Sequence, residues 1–258
     1  LDFEWMNANL FYNQYTRTRS YFQNTEYEAT GLPSSREQEI LGPIKNQIPE
    51  EVFTEEFQPP ETDGSGNIRP QIRRALGLLR QAGWEIRDRK LVNVDTGEPM
   101  EFELLLYSPS MERVAIPIQK NMERMEITMN IRVVDTTQFT NRLRERDFDM
   151  ISGGYSANYY PDSGLKIVWH SDYIDSTYNT AGVRNEAVDY LVEEIAKRQD
   201  DFDSLLYWGR ALDRVLTWNH YVIPMWHISA FRVAYWNKFD MPDTRPKYSL
   251  GIGSWWEK

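Results

Sequence analysis

Phe102-Glu103-Leu104-Leu105-Leu106-Tyr107 is a short apolar run that follows the turn residues Asp95-Thr96-Gly97-Glu98-Pro99. Its length and flanking breakers read as a strand, the start of a sheet. Upstream, 84–87 and 90–93 read as two more strands joined by Asp88-Arg89. Before them a helix is predicted over 71–82, with Ile72, Ala75, Leu76 and Leu79 on one face and Gly83 as its stop. Downstream come a helix over 111–125, a strand over 128–134, a helix over 137–145 and a strand over 148–152. Strands alternating with helices predict an α/β lobe on a mainly parallel sheet.

Around this centre the chain divides into recognisable stretches. Residues 2–15 read as a helix, and 15–33 as an irregular aromatic loop ending at Gly31-Leu32-Pro33. A short helix over 36–41 follows the Ser34-Ser35 cap, and 43–60, rich in breakers and acids, is expected to be flexible. Asp63-Gly64-Ser65-Gly66 resembles the start of a calcium loop, but Ile72 stands where the twelfth-position Glu is needed and Pro70 intrudes. A turn is the better reading. The opening Leu1-Asp2-Phe3-Glu4-Trp5-Met6-Asn7 is apolar at helical spacing without an initiator Met, which reads as a cut inside a longer protein. Processing to a mature N-terminus is the competing explanation.

From 153 to 181 periodicity gives way to Gly, Ser, Asn, Asp and Tyr, with a helical turn predicted over 165–169. In an α/β fold such a loop after a strand lies where ligands bind. Helices are predicted over 185–198 and 201–218, with stripes (Val188, Leu191, Ile195; Leu205, Trp208, Leu212, Val215) that suit a core. Tyr221-Val222-Ile223-Pro224-Met225-Trp226-His227, running on to Phe231-Arg232-Val233-Ala234-Tyr235-Trp236, reads as two short strands around a turn, and Trp255-Trp256 closes the chain. Rings this dense either fill a core or line a groove.

Composition narrows the chemistry. The 258 residues carry 29 Lys plus Arg against 39 Asp plus Glu, a net charge of -10 that argues against nucleic acid or an anionic membrane as a partner. Cysteine is absent, so thiol catalysis, disulfides and thiolate metal sites fall together, while the compartment stays open. No apolar run approaches the roughly 20 residues of a membrane span. His220 and His227 are separated by Pro224, so they cannot present two metal ligands on one helix face, and no metal site is expected. There is no Gly-x-Ser-x-Gly elbow, Walker lysine loop or Gly-x-Gly-x-x-Gly turn. The acidic pairs Asp147 with Asp149 and Asp201 with Asp203 read as solvated edges. Binding without catalysis and without a cofactor is the expectation.

Asp2-Phe3-Glu4-Trp5-Met6-Asn7, Arg17-Thr18-Arg19-Ser20-Tyr21-Phe22 and Gly31-Leu32-Pro33, together with Arg232-Val233-Ala234-Tyr235-Trp236-Asn237-Lys238-Phe239 and 248–256, carry a resemblance. They are similar to the C-terminal half of family 5 extracellular solute-binding proteins, the peptide-binding components of bacterial ABC importers, and within these to the YejA-type oligopeptide and microcin C branch. The resemblance implies a lobe of the periplasmic-binding-protein type II kind, a mainly parallel mixed sheet flanked by helices. It implies that 1–220 is a second ligand-binding lobe and 221–258 a return segment belonging to a first lobe. An oligopeptide ligand, a membrane permease, the missing N-terminal lobe and a periplasmic or envelope-associated location are implied with it.

In several relatives an ammonium-binding Asp follows an aromatic-x-Ala step in the loop corresponding to Tyr155-Ser156-Ala157, and here that place is Asn158. An amide supplies no full charge, so ammonium capture passes to Asp162 or is lost. The residues expected at the ligand are Tyr155, Asn158, Tyr159, Asp162 and Trp169, with Asn179 orienting the far side, then Trp226 and His227. The plainer alternative is a solvated loop that satisfies its own polar groups, with His227 a hydrogen-bonded core histidine. Two readings of other classes stand beside the binder: a peptide hydrolase whose groove is the 153–181 loop, and a protein-interaction module using the aromatic tail.

Overall fold

The computed structural model describes residues 1–155, 158–246 and 249–258. In chain order its elements are α1 (Phe3–Leu10), β1 (Thr16–Arg17), α2 (Ser35–Leu41), α3 (Glu51–Thr54), α4 (Arg69–Gln81), β2 (Trp84–Arg87), β3 (Lys90–Asn93), β4 (Glu101–Leu106), α5 (Glu112–Glu123), β5 (Thr128–Val133), α6 (Thr136–Glu145), β6 (Met150–Ile151), α7 (Leu165–Trp169), α8 (Glu186–Ala196), α9 (Phe202–Trp218), β7 (Trp226–His227), β8 (Phe239–Asp240) and β9 (Trp256–Glu257).

The leucine run of β4 forms the middle of a three-stranded parallel sheet ordered β5-β4-β6. Successive side chains of a strand point to opposite faces, so three consecutive leucines bury both. Leu104 and Leu106 pack with Ala115 of α5 and Met129, while Leu105 packs with Val134 and Phe139 of α6. The β2–β3 hairpin turns through Asp88 and Arg89, both with positive φ, as a two-residue loop requires. With α4 it covers the end of the sheet where β4 and β5 begin, through Leu91, Met125, Ile127, Ile72 and Leu76. The antiparallel pairs are separate ladders, so among the described residues the main sheet is parallel throughout.

A second, helical core joins α8 and α9 to α2, α3 and α7. Val188, Leu191, Ile195, Leu205, Leu212 and Val215 are fully buried there, as their helical spacing predicts. Residues 43–60, expected to be flexible, instead carry a 3-10 turn over Gly42–Gln47 and α3. Ile44, Ile48 and Val52, four apart, dip into this core and outweigh the breakers around them. The two strands expected in the aromatic tail are also corrected. Only Trp226–His227 is a strand there, and its partner is Thr16–Arg17, from a stretch read as loop. Beyond it, residues 228–236 form no strand, and Phe231 and Trp236 remain 64% and 79% exposed. Lys247 and Tyr248 lie outside the described residues, and with them one end of the 248–256 stretch.

Adjacent residues on α9 hold the irregular 20–37 stretch. Asp213, 1% exposed, accepts from Ser20 Oγ (2.7 Å), Tyr21 N (2.9 Å) and Ala29 N (2.9 Å). Arg214 donates to Gly31 O (2.7 Å) and Thr30 O (3.0 Å) and faces the buried Glu37 carboxylate at 3.5 Å. Burial pushes the Asp213 carboxyl up to about 6, against the pull of its three donors. The folded state therefore holds this proton more tightly than the unfolded chain. The resulting stability is fully present below the ordinary value of 3.8 and is lost as pH rises through about 6.

Asp213→Ala, which orphans three donors, is expected to lower unfolding free energy by about 3 kcal/mol in urea denaturation. Asp213→Asn should flatten the decline in stability between pH 4 and 6 relative to the parent. An unchanged slope would show that another group titrates there.

Candidate ligand-binding site

Because β4, β5 and β6 are parallel, their C-terminal ends share one edge of the sheet, and the loops after them gather there. That edge is where open α/β sheets take ligands. Tyr107, just past β4, is half exposed with its ring 5.1 Å from Phe139. After β6 the chain runs through Gly153 and Gly154 into the loop that carries most of the expected contacts.

Tyr155 lies flat on Trp169, ring centroids 4.9 Å apart and planes at 16°. Tyr21 stands edge-on to both, at 6.0 Å from Tyr155 and 5.0 Å from Trp169. The Tyr155 hydroxyl pairs with the Thr180 hydroxyl at 3.0 Å. Burial raises the phenol pKa of both Tyr21 and Tyr155, so each acts as a neutral hydrogen-bonding group at neutral pH. Tyr155 keeps 38% of its surface open, whereas Trp169 keeps 3%: one ring is a platform and the other its support.

Asn158 and Asp162 bond to each other, amide to carboxylate, and the other Asp162 oxygen accepts from Gly164 N at 2.7 Å. Tyr159 is 56% exposed beside them. Ser156 and Ala157, the remainder of the aromatic-x-Ala step, lie outside the described residues.

The far wall is built from behind. Asn179, fully buried, accepts from Val183 N (2.8 Å) and donates to Val183 O (3.0 Å), closing its loop on itself. Arg146, the left-handed cap of α6, donates to the carbonyls of Ile174, Ser176 (2.8 Å) and Thr180 (3.2 Å). Sequence reasoning missed Arg146, since carbonyls as its partners leave no pattern in the chain.

Trp226 and His227 occupy a separate strand and point to opposite faces, as alternation requires. Trp226 packs on Phe11 (4.7 Å) and Phe3 (6.3 Å). His227 receives the Asn24 amide at Nε2 (3.0 Å), which leaves Nδ1–H to donate to the Thr18 hydroxyl (3.2 Å). Burial lowers its pKa, only partly countered by Glu28, and keeps the ring neutral. The 16–28 segment thus reaches both groups, through Tyr21 to the Tyr155 platform and through Thr18 and Asn24 to His227. Among the described residues no group of three His, Asp or Glu side chains is placed to hold a metal ion. No helix among them is long and apolar enough to cross a membrane.

A profile described as Bacterial extracellular solute-binding proteins, family 5 Middle matches residues 1–175, and the chain belongs to that family. Its fold is of the type II periplasmic-binding kind. Over 255 residues it is 48% identical to the uncharacterised protein YejA of Escherichia coli K12, covering 99% of this chain and 42% of that protein. It is 38% identical over 258 residues to the probable peptide-binding protein YejA of Agrobacterium fabrum, again 99% of this chain and 42% of the relative. The chain therefore spans less than half the length of these relatives. Among solved structures, the oligopeptide-binding protein AppA of Bacillus subtilis with a nonapeptide superposes with TM-score 0.58, at 17% identity, over 86% of this chain and 45% of that one. NikZ of Campylobacter jejuni with Ni(L-His) superposes with TM-score 0.66, at 13% identity, over 100% and 46%. At such identities the likeness is one of fold.

Gly209 sets how closely the loop seats. A Cβ there would stand 2.7 Å from Pro161 and 2.9 Å from Tyr27, so only glycine lets both pack on α9. Gly209→Ala is expected to destabilise by about 1–3 kcal/mol through overpacking, although alanine is the better helix former by about 1 kcal/mol. Chemical denaturation checks the sign, and a stabilised variant would contradict the packing account.

Proposed function

We propose that this chain is the second lobe of a substrate-binding protein serving an ABC importer. In this reading it binds oligopeptides in an interlobe cleft, closes on them by a hinge, and delivers them to a membrane permease from the periplasmic side. The observation that carries the reading is the Tyr155 platform, an open aromatic face at the C-terminal edge of a parallel sheet, backed by Trp169 and Tyr21. Family membership and the name of the Agrobacterium relative support peptide as the ligand class. The nonapeptide held by a protein of the same fold is consistent with it.

The proposed contacts are Tyr155, Asn158, Tyr159 and Asp162 from the loop, with Trp169 and Asn179 setting its shape and Trp226 and His227 on the seam toward the first lobe. Peptide binders meet main-chain groups through strand-like hydrogen bonds and leave side chains in hydrated pockets. Asn158 in place of an acid, with the Asp162 carboxylate already engaged by Asn158 and Gly164, supports acceptance of peptides with blocked N-termini. Residues 221–258 are proposed as the return segment to the first lobe, consistent with their exposed Phe231, Tyr235, Trp236 and Trp256.

Calorimetric titration of the intact protein with a peptide pool, with mass spectrometry of bound and free material, tests the function. Unmodified bound peptides are expected, and cleaved products or no binding would refute it. N-acetylated and free forms of one peptide should bind within about tenfold of each other, roughly 1.4 kcal/mol. A strong preference for the free amine would remove Asn158 from its proposed role.

The 258-residue chain alone offers half a cleft and should bind weakly. Submicromolar affinity by the chain alone would contradict the two-lobe account. Its exposed tail rings should also bind an apolar dye or drive self-association. A clean monomer in sedimentation, with no dye binding, would count against the return-segment assignment.

A further inference from the structure

Far from the proposed cleft, α4 reads Arg69-Pro70-Gln71-Ile72-Arg73-Arg74-Ala75-Leu76-Gly77-Leu78-Leu79-Arg80-Gln81: four arginines and no acid, in a chain of net charge -10. Three of these arginines, with Arg124 from the end of α5, surround a recess of about 510 Å³ whose apolar floor is Ile72 and Leu76. Arg124 lies just before β5 begins, so the recess sits at the N-terminal end of the parallel strands, opposite the Tyr155 edge. Among the described residues, none of the four arginines makes an ion pair. Among the described residues their side chains make one hydrogen bond, from Arg124 Nη1 to Asn121 Oδ1 at 3.3 Å.

Arginines on a solvated helix face are ordinary. Their convergence on one recess, with none of them held in an ion pair among the described residues, is not. Four guanidinium groups around a shared space repel one another until an anion enters it, and their planar forks match phosphate oxygens in pairs. An apolar floor between the charges suits a ligand that carries carbon skeleton next to its anionic group.

We propose that this recess binds a phosphate-bearing ligand, its phosphate held by Arg69, Arg73, Arg80 and Arg124 and its apolar part resting on Ile72 and Leu76. The phosphate can belong to a soluble phosphate ester or to an anionic lipid headgroup, and the two sources separate experimentally.

The test titrates inorganic pyrophosphate into the 258-residue chain by calorimetry. The double variant Arg73→Gln with Arg80→Gln is compared with a control of equal charge change, Arg89→Gln with Arg144→Gln. All four positions are exposed, so both variants should keep the parent's circular dichroism. Saturable binding by parent and control, at least about tenfold weaker in the recess variant, is the expected result. No binding by the parent, or equal affinity in recess variant and control, overturns the proposal. In a second arm the parent is floated with phosphatidylglycerol or phosphatidylcholine vesicles. Flotation with phosphatidylglycerol that pyrophosphate competes away assigns a lipid source, and absence of flotation with intact pyrophosphate binding assigns a soluble one.

Discussion

Two neighbouring side chains on one helix, Asp213 and Arg214, hold in place a stretch with little regular structure of its own. Helical neighbours point about 100° apart, so the pair reaches two different parts of the 20–37 segment: Asp213 takes Ser20, Tyr21 and Ala29, and Arg214 takes Thr30, Gly31 and Glu37. Charges this deep are costly unless paired and hydrogen-bonded, which ties the fold of the segment to the full set of partners. Tyr21, fixed by this clamp, is the ring that braces both Tyr155 and Trp169. Tyr27, a few residues on, packs beside Pro161 against the bare backbone of Gly209.

The candidate site is therefore a product of two cores. The parallel sheet supplies an edge where three strand ends meet, and the helical core supplies the support beneath the rings. Between them, the described residues of the loop after β6 are held by the stacking of Tyr155 on Trp169 and by the Asn158–Asp162 contact.

Much of this was legible beforehand where local pattern and tertiary burial agree. The leucine run of β4, the Asp88-Arg89 hairpin and the stripes of α8 and α9 each obey one period, and packing confirmed each period. The failures came where long-range pairing decided the outcome. Nothing local in Thr16-Arg17 announces a strand, because it becomes one only opposite Trp226-His227. Residues 44, 48 and 52 were hidden by the prolines and acids around them. The buried Asp213 and Arg214 were readable in principle as charges on the inner face of α9, and Gly209 as a glycine in the middle of a 17-residue helix. Arg146 was not readable, since it works through carbonyls that any residue could provide.

The central claim is that the 152–163 loop and the 16–28 segment form one ligand-responsive surface. Hydrogen–deuterium exchange on the intact protein, with and without a bound peptide pool, addresses it directly. Protection concentrated in those two segments, with α4 and the β2–β3 hairpin unchanged, is the predicted result. Protection confined to other parts of the chain, or none in the presence of saturating peptide, would contradict it.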